Sequence, residues 1–445
     1  MNEYDVIIIG AGPAGMAAAN VLASHQRALM FEGDLWGGTC PNRGCDPKKM
    51  LYRAAEVKAA AASMAQVGII SETAIAWPKL MHFKRSYTDT VPEKTLASLN
   101  ALGVVTRHAR PHFVDAHTVQ AEDVTYTAKN IIIATGRVPA KPDIPGAELL
   151  QTSTEFLNLS QLPQSIAFIG AGYVAVELAN IAALAGSTVH IINRSKRLLR
   201  GWDRDATETL RQLMIQRRVR WHDEVSLTAV RPAVNGVRLL GEEGFELVVN
   251  TAFSAIGRVP AMDLGLDKIG LLPTSDGLRV DAHMQTDVPH VYAIGDVVDK
   301  MEPKLTPVAS FEGRYVGRHL LGVSDPIQYP AIPEIIFGAT ELAHVGVRLD
   351  AAKAQPERYL VRDQDVSHWY TYNRVQDETA RVVTITDRES GDLVGALIVS
   401  AHAEELVNQF ALLIDSHTSN MARELIYGYP SVSSDLQYLL RTPRS

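Results

Sequence analysis

The chain has 445 residues, 46% hydrophobic and 21% charged, with a formal net charge of -7. That length exceeds one hydrophobic core and predicts two to four domains. The acidic balance argues against nucleic acid as a partner, and no stretch approaches the roughly 20 apolar residues that span a bilayer, so no membrane partner is expected.

In chain order, residues 4–9 read as a strand that runs straight on from the N-terminus, with no charged leader or small-residue cleavage site, which predicts a cytoplasmic protein. A glycine turn, an Ala-rich helix over 15–24 and a second strand over 27–31 follow. The turn is Gly10-Ala11-Gly12-Pro13-Ala14-Gly15, a dinucleotide fingerprint in its required setting. Gly10 permits the tight turn, Gly12 lets backbone approach a pyrophosphate, and Gly15 lets helix pack on strand. The phosphate charge then meets unpaired N–H groups at the helix N-terminus. Glu32 closes the second strand, placed to accept hydrogen bonds from both hydroxyls of an adenosine ribose.

The two cysteines of the chain come next, in Gly37-Gly38-Thr39-Cys40-Pro41-Asn42-Arg43-Gly44-Cys45-Asp46-Pro47-Lys48-Lys49. In a reducing compartment such a close pair points to metal binding or redox catalysis rather than a structural bridge. Two thiolates with no nearby histidine make a poor zinc site, and the fourteen histidines form no ligand spacing, so no metal is expected and redox chemistry is favoured. Residues 50–62 predict a strong helix, so the pair stands at a helix entrance, where the macrodipole favours a thiolate. Lys48 or Arg43 would help for the same reason.

Residues 124–133 read as paired strand material before Ala134-Thr135-Gly136, and Pro139, Pro142 and Pro145 then form a stiff stretch suited to a crossing between domains. A second unit repeats the first, with a strand over 165–169, a glycine turn, a helix over 174–185 and a strand over 188–192. Its fingerprint is Gly170-Ala171-Gly172-Tyr173-Val174-Ala175. No acid closes its second strand; Asn193 stands there, followed by Arg194, Lys196, Arg197 and Arg200. Guanidinium groups grip a ribose 2′-phosphate that a carboxylate would repel, which predicts NADPH over NADH, the alternative being a solvated basic turn. Residues 255–260 close this unit. Beyond Pro326 and Pro330 the pattern becomes strands (381–387, 393–400) and helices (403–416, 420–426), without a glycine-rich phosphate loop.

Together these residues resemble the class I pyridine nucleotide–disulfide oxidoreductases, among them glutathione reductase, dihydrolipoamide dehydrogenase and mercuric reductase. The likeness spans essentially the whole chain. It includes Ala134-Thr135-Gly136, the 255–260 segment, Tyr292-Ala293-Ile294-Gly295-Asp296 and Leu305-Thr306-Pro307-Val308-Ala309. It implies an α/β fold of two Rossmann-like dinucleotide-binding domains and a C-terminal α+β interface domain that forms a homodimer. An FAD domain would comprise residues 1–144 and 262–326, an NAD(P)H domain 145–261, and the interface domain 327–445. The resemblance further implies FAD on the first fingerprint, with Gly38, Thr39, Thr135, Gly136, Asp296 (at the ribitol chain) and Ala309. NADPH would lie on the second, with Tyr173, Arg194, Arg200 and Gly257. Cys45 would be the charge-transfer thiolate against the flavin and Cys40 the outer thiol that attacks the substrate. Lys48 and Glu177 match the lysine–glutamate pair beside the isoalloxazine, and Tyr173 matches the aromatic lid that the nicotinamide displaces.

The chain departs from that pattern near its C-terminus. Where disulfide reductases carry His-Pro-Thr-x-Ser-Glu, it has Tyr429-Pro430-Ser431-Val432-Ser433-Ser434, with Asp435 one place beyond. A phenol with an ordinary pKa of about 10 is a poor proton shuttle at neutral pH, so disulfide turnover is expected to be slow. Mercuric reductases share the tyrosine but need a C-terminal cysteine pair absent here. Glutathione reductases carry an arginine on the first helix where Asn20 stands, although Arg314 matches another substrate-side arginine. Three readings follow: an NADPH-dependent reductase of a small-molecule acceptor, first a low-molecular-weight disulfide; a reductase of soft metal ions held between the two thiolates; and a redox-sensing flavoprotein with little turnover.

Overall fold

The structure, a computed structural model, describes residues 2–68 and 73–441. Its organising feature is a parallel sheet in the order Val105–His108, Ala28–Glu32, Glu3–Ile9, Val124–Ile133, with Val291–Ala293 joined to the last of these. Val6, Ile7, Ile8 and Ile9 are all buried, as expected of a central parallel strand covered on both faces. The antiparallel strands His112–Asp115 and Thr118–Ala121 extend the sheet beyond Val124–Ile133. The helix Pro13–Leu22 leaves the first glycine turn and packs on Thr306–His319 through small residues.

A second parallel sheet runs Val219–Asp223, Thr188–Asn193, Ser165–Ile169, Thr251–Ser254, with the helix Tyr173–Ala185 against it and a three-stranded antiparallel sheet beside it. The proline-rich crossing is two-stranded. Arg137–Pro139 enters and Arg258–Pro260 leaves, paired antiparallel with Val138 opposite Val259. The third sheet is antiparallel, in the order Glu334–Phe337, Glu341–Gly346, Leu393–Ser400, Arg381–Asp387, Tyr359–Asp365. Leu406, Val407 and Phe410 of the helix Ala403–Ser416 belong to the buried core on its face. The expected architecture of two Rossmann-like units and a C-terminal α+β unit is therefore present.

Two expected helices differ. The helix placed at 50–62 begins earlier, at Cys45, and runs to Ser63. Pro47 does not prevent this, because the first turn of a helix has no backbone partner for its N–H groups. The helix placed at 420–426 is only Ser419–Ala422. Leu425 and Ile426 stand exposed, with no core in this chain to hold them in a continuing helix, and Gly428 and Pro430 lie just beyond. Among the described residues no helix is long and apolar enough to cross a membrane.

Candidate active site

A cleft of about 620 Å³ runs from the first glycine turn to the cysteines and on to Tyr173. Its floor is made where two backbones touch. Gly38 has φ 68°, and a Cβ there would lie 2.6 Å from the Gly12 Cα, so the cradle is as deep as peptide alone allows. Gly15 packs its Cα against the Gly10 carbonyl, where no side chain would fit. Glu32 ends its strand with one carboxylate oxygen accepting from the Ala11 N–H (2.9 Å) and the other from the Asp34 N–H (2.8 Å), which fixes it at the cleft wall.

The opposite wall carries Thr135, Gly136, Asp296 and Ala309, with Thr39 near the cysteines. The Thr135 hydroxyl donates to the Ala261 carbonyl (2.6 Å), and the Ala261 N–H to the Gly136 carbonyl (3.0 Å). Asp296 sits in the turn Gly295–Val297 directly after the strand Val291–Ala293. That turn is fastened by a residue the sequence reading missed. Glu312, fully buried, accepts from the Gly295 N–H (2.6 Å) and the Tyr329 hydroxyl (2.8 Å) and pairs with Lys300. No local pattern marks Glu312; its partners come together only in the fold.

Cys40 lies in the short helix Thr39–Arg43 and Cys45 is the first residue of the long one, with Gly44 as the break between them. Both are free thiols on the cleft, and the Cys40 thiol donates to Asp46 Oδ1 at 3.8 Å. The neighbouring Cys40 sulfur is the main reason the Cys45 thiol is lowered to about 6, against burial and with help from Lys48, the Thr306 hydroxyl and Lys49. Thr306 Oγ1 is 3.8 Å from the Cys45 sulfur. The Cys45 sulfur beside it, together with burial, pushes the Cys40 thiol up. Of the two, Cys45 is the sulfur biased toward the thiolate.

Lys48 and Glu177 pair at 2.6 Å, and Glu177 also takes Lys49 at 3.0 Å, a second partner that the sequence reading left without a role. The carboxylate is buried and also accepts from the Phe337 N–H (3.1 Å), which ties the site to the C-terminal sheet. Burial opposes all three charges. Their mutual attraction outweighs it for Lys48, held above its ordinary range, and for Glu177, held below, whereas burial lowers Lys49 to about 8. Tyr173 opens the helix Tyr173–Ala185, half exposed, its ring centroid 5.3 Å from the Lys48 ammonium. Arg43, also expected to favour the thiolate, pairs its guanidinium with Asp34.

On the second unit, Gly170 turns tightly against the Ala255 carbonyl, while Gly172 and Gly257 border open space. The buried Asn193 donates its amide to the carbonyls of Ser195 and Arg197 and so shapes the basic turn. Lys196 is committed to Glu224 (3.1 Å) and Arg197 to the Trp202 carbonyl (3.0 Å). Arg194 and Arg200 are exposed and, among the described residues, without an ion pair.

Tyr429 is not brought to this cleft within one chain. It is 70% exposed on the C-terminal unit, stacked on Tyr370 at 6.0 Å. Asp435 is buried beside Thr371 and Tyr372, its carboxyl held above the usual range by burial, and Ser434 closes a local cap with Ser431. Neither reaches the surface that Tyr429 presents.

Residues 4–313 match the pyridine nucleotide-disulphide oxidoreductase family, and residues 332–439 match the dimerisation domain of the same family. The chain belongs to the pyridine nucleotide-disulphide oxidoreductases, flavoprotein enzymes that use FAD, a pyridine nucleotide and a redox-active cysteine pair. Among individual relatives, it is 30% identical to a glutathione reductase from a Nostoc species over 93% of this chain and 94% of that one. It is also 30% identical to the dihydrolipoyl dehydrogenase of Chlamydia muridarum, over 97% and 95% of the two chains. In fold it is similar to the HOCl-induced flavoprotein disulfide reductase RclA from Escherichia coli, with a TM-score of 0.88 at 24% identity over 98% of this chain and 99% of that one.

Proposed function

We propose that this chain is an NADPH-dependent, FAD-containing reductase that passes electron pairs through Cys40 and Cys45 to a thiol-related acceptor, first a low-molecular-weight disulfide. The observation that carries this reading is the placement of both free sulfurs on the cleft, with Cys45 3.8 Å from Thr306 Oγ1 near the Lys48–Glu177 pair and Cys40 3.8 Å from Asp46 Oδ1. The backbone cradle at Gly10, Gly12, Gly15 and Gly38 suits a dinucleotide pyrophosphate, with Glu32 at its ribose end. Thr39, Thr135, Gly136, Asp296 and Ala309 line the rest of the cleft where the flavin would lie. When bound, FAD supplies the two-electron chemistry that links a nicotinamide to a dithiol.

The protein's own groups do the remainder. Lys48, locked by Glu177, presents a fixed cation beside the Cys45 thiolate, and Tyr173 covers the nicotinamide side until displaced. Gly170, Gly172 and Gly257 leave room for the coenzyme backbone, and the free guanidinium groups of Arg194 and Arg200 take its 2′-phosphate. Cys40 attacks the acceptor, and Tyr429, carried by the homodimer's interface domain, contacts it in place of the usual histidine. We assign residues 1–144 and 262–326 to FAD, 145–261 to NADPH and 327–445 to the interface.

The test begins with purified protein, which should be yellow and develop a long-wavelength charge-transfer band on addition of NADPH. A colourless preparation that cannot be reconstituted would reject the reading. A panel of disulfides, Hg(II), Cu(II) and quinones then identifies the acceptor class. A second reading, reduction of a soft cation, draws on the adjacent sulfurs with a carboxylate beside them, and on the Cu(II) complex described for the similarly folded RclA. Turnover of metals alone would select it. A dithiol that forms but turns over nothing would select a redox sensor. Replacing Arg194 and Arg200 together with Ala should reduce the NADPH:NADH preference in kcat/KM at least tenfold; an unchanged ratio would remove these residues from coenzyme selection.

A further inference from the structure

The two sulfurs face opposite charges. On the Cys45 side lie Lys48 and Lys49, two cations sharing the single carboxylate of Glu177. On the Cys40 side lies Asp46, whose Oδ1 accepts from the Cys40 thiol at 3.8 Å. Its other oxygen accepts from the Tyr87 hydroxyl at 2.7 Å, and Tyr87 projects from the helix Trp77–Thr88. The carboxylate thus has two donors and no cationic partner among the described residues. Lys84 and Arg85, on the same helix as Tyr87, turn instead to Asn158, and Arg43 is taken by Asp34. A carboxylate in the first turn of a helix is held there by the helix end itself. The carboxylate therefore stands against the sulfur to which the proposed function gives the attack on the acceptor.

We propose that Asp46, anchored by Tyr87 against the Cys40 sulfur, determines acceptor specificity, admitting cationic and neutral disulfides and disfavouring anionic ones. The proposal rests on the function assigned above. The affected step is attack of the Cys40 sulfur on the acceptor's S–S bond. A new Cys40–S bond forms and the acceptor S–S bond breaks; the first half leaves with the proton that Cys40 gives up. Cys45 then attacks the Cys40 sulfur, closing the protein disulfide and expelling the second half as a thiolate that takes a proton from water. Two electrons leave the dithiol, and the acceptor becomes two thiols. A unit charge about 4 Å from the reacting sulfur discriminates by Coulomb energy between incoming cations and anions, even at a partly hydrated surface.

The test is chemical labelling of Cys40 in the full-length, flavin-loaded Cys45→Ser protein. The probes are methanethiosulfonates bearing an ammonium, a methyl or a sulfonate group, with rates normalised to those of a free thiol. Any change in the Cys40 proton affinity alters all three rates alike and cancels from the cation:anion ratio. That ratio should be roughly tenfold or more with Asp46 present. It should fall at least threefold in Asp46→Asn, and likewise in Asp46→Ser, whose small polar side chain suits a helix start should the first variant fail to fold. A ratio that stays within threefold of the parent in a folded variant overturns the proposal.

With the cysteine pair intact, cystamine should exceed oxidised glutathione in kcat/KM, and Asp46→Asn should narrow that gap. Loss of all acceptor turnover with the labelling ratio preserved would refute the assigned function and leave the charge selection standing. Turnover with an unchanged ratio would do the reverse.

Discussion

At the scale of single residues, a neutral neighbour matters more to Cys45 than the lysines do. The leading cause of its low proton affinity is the adjacent Cys40 sulfur, ahead of Lys48 and Lys49. In the reduced protein the thiolate band should therefore titrate near pH 6. Cys40→Ala should move the midpoint upward toward the ordinary thiol value of about 8.5, read as absorbance against pH. A group whose pKa is depressed by folding stabilises the fold fully only above its unfolded value. Denaturation of the reduced protein should accordingly show this contribution intact above about pH 8.5 and lost as pH falls through the folded value. Glu177 is a harsher case, because two ammonium groups depend on it. Glu177→Gln should destabilise the protein by about 3–5 kcal/mol, the scale of a broken buried ion pair, measured by denaturant titration. A loss under 1 kcal/mol would show that the lysines find other partners.

At the scale of elements, the glycine turns act by bringing backbones together. Gly38 combines a left-handed φ of 68° with contact against Gly12, so Gly38→Ala should lower the flavin-to-protein absorbance ratio after purification by more than half. Full flavin retention would show that the loop can retreat from the helix start. Both fingerprints, the cysteine segment and the Lys48–Glu177 pair were legible in the sequence because their chemistry is local or shared with a known family. The contacts of Asp46 with Tyr87, of Lys49 with Glu177, and of Glu312 with Gly295 were not. Each joins residues from separate elements, and neither strand alternation nor helical period records which side chains will meet. The helix expected at 420–426 failed for a related reason: periodicity marks an apolar face but does not say whether the same chain covers it.

At the scale of the molecule, that uncovered surface predicts where the dimer would pair. Met421, Leu425, Ile426 and Tyr429 are all exposed on the unit that matches a dimerisation domain, and Ile426 has no neighbour to shield it. Exposed apolar side chains gathered in this way suit a protein interface. Ile426→Asp should shift the protein from dimer to monomer in sedimentation velocity, with about 2 kcal/mol or more of association energy lost for a central interface position. A variant that remains dimeric would place the interface elsewhere.

The paired crossing at Arg137–Pro139 and Arg258–Pro260 has a topological meaning as well. The chain departs for the unit of the second fingerprint and returns from it through adjacent strands, so the two ends of the excursion lie side by side even though its body also packs on the cysteine helix. Because the two ends already touch, closing them adds little chain entropy however long the excursion becomes. Loops on its rim can therefore lengthen or shorten at little cost, whereas the helix that carries Glu177 cannot be exchanged without releasing Lys48 and Lys49 beside the cysteines.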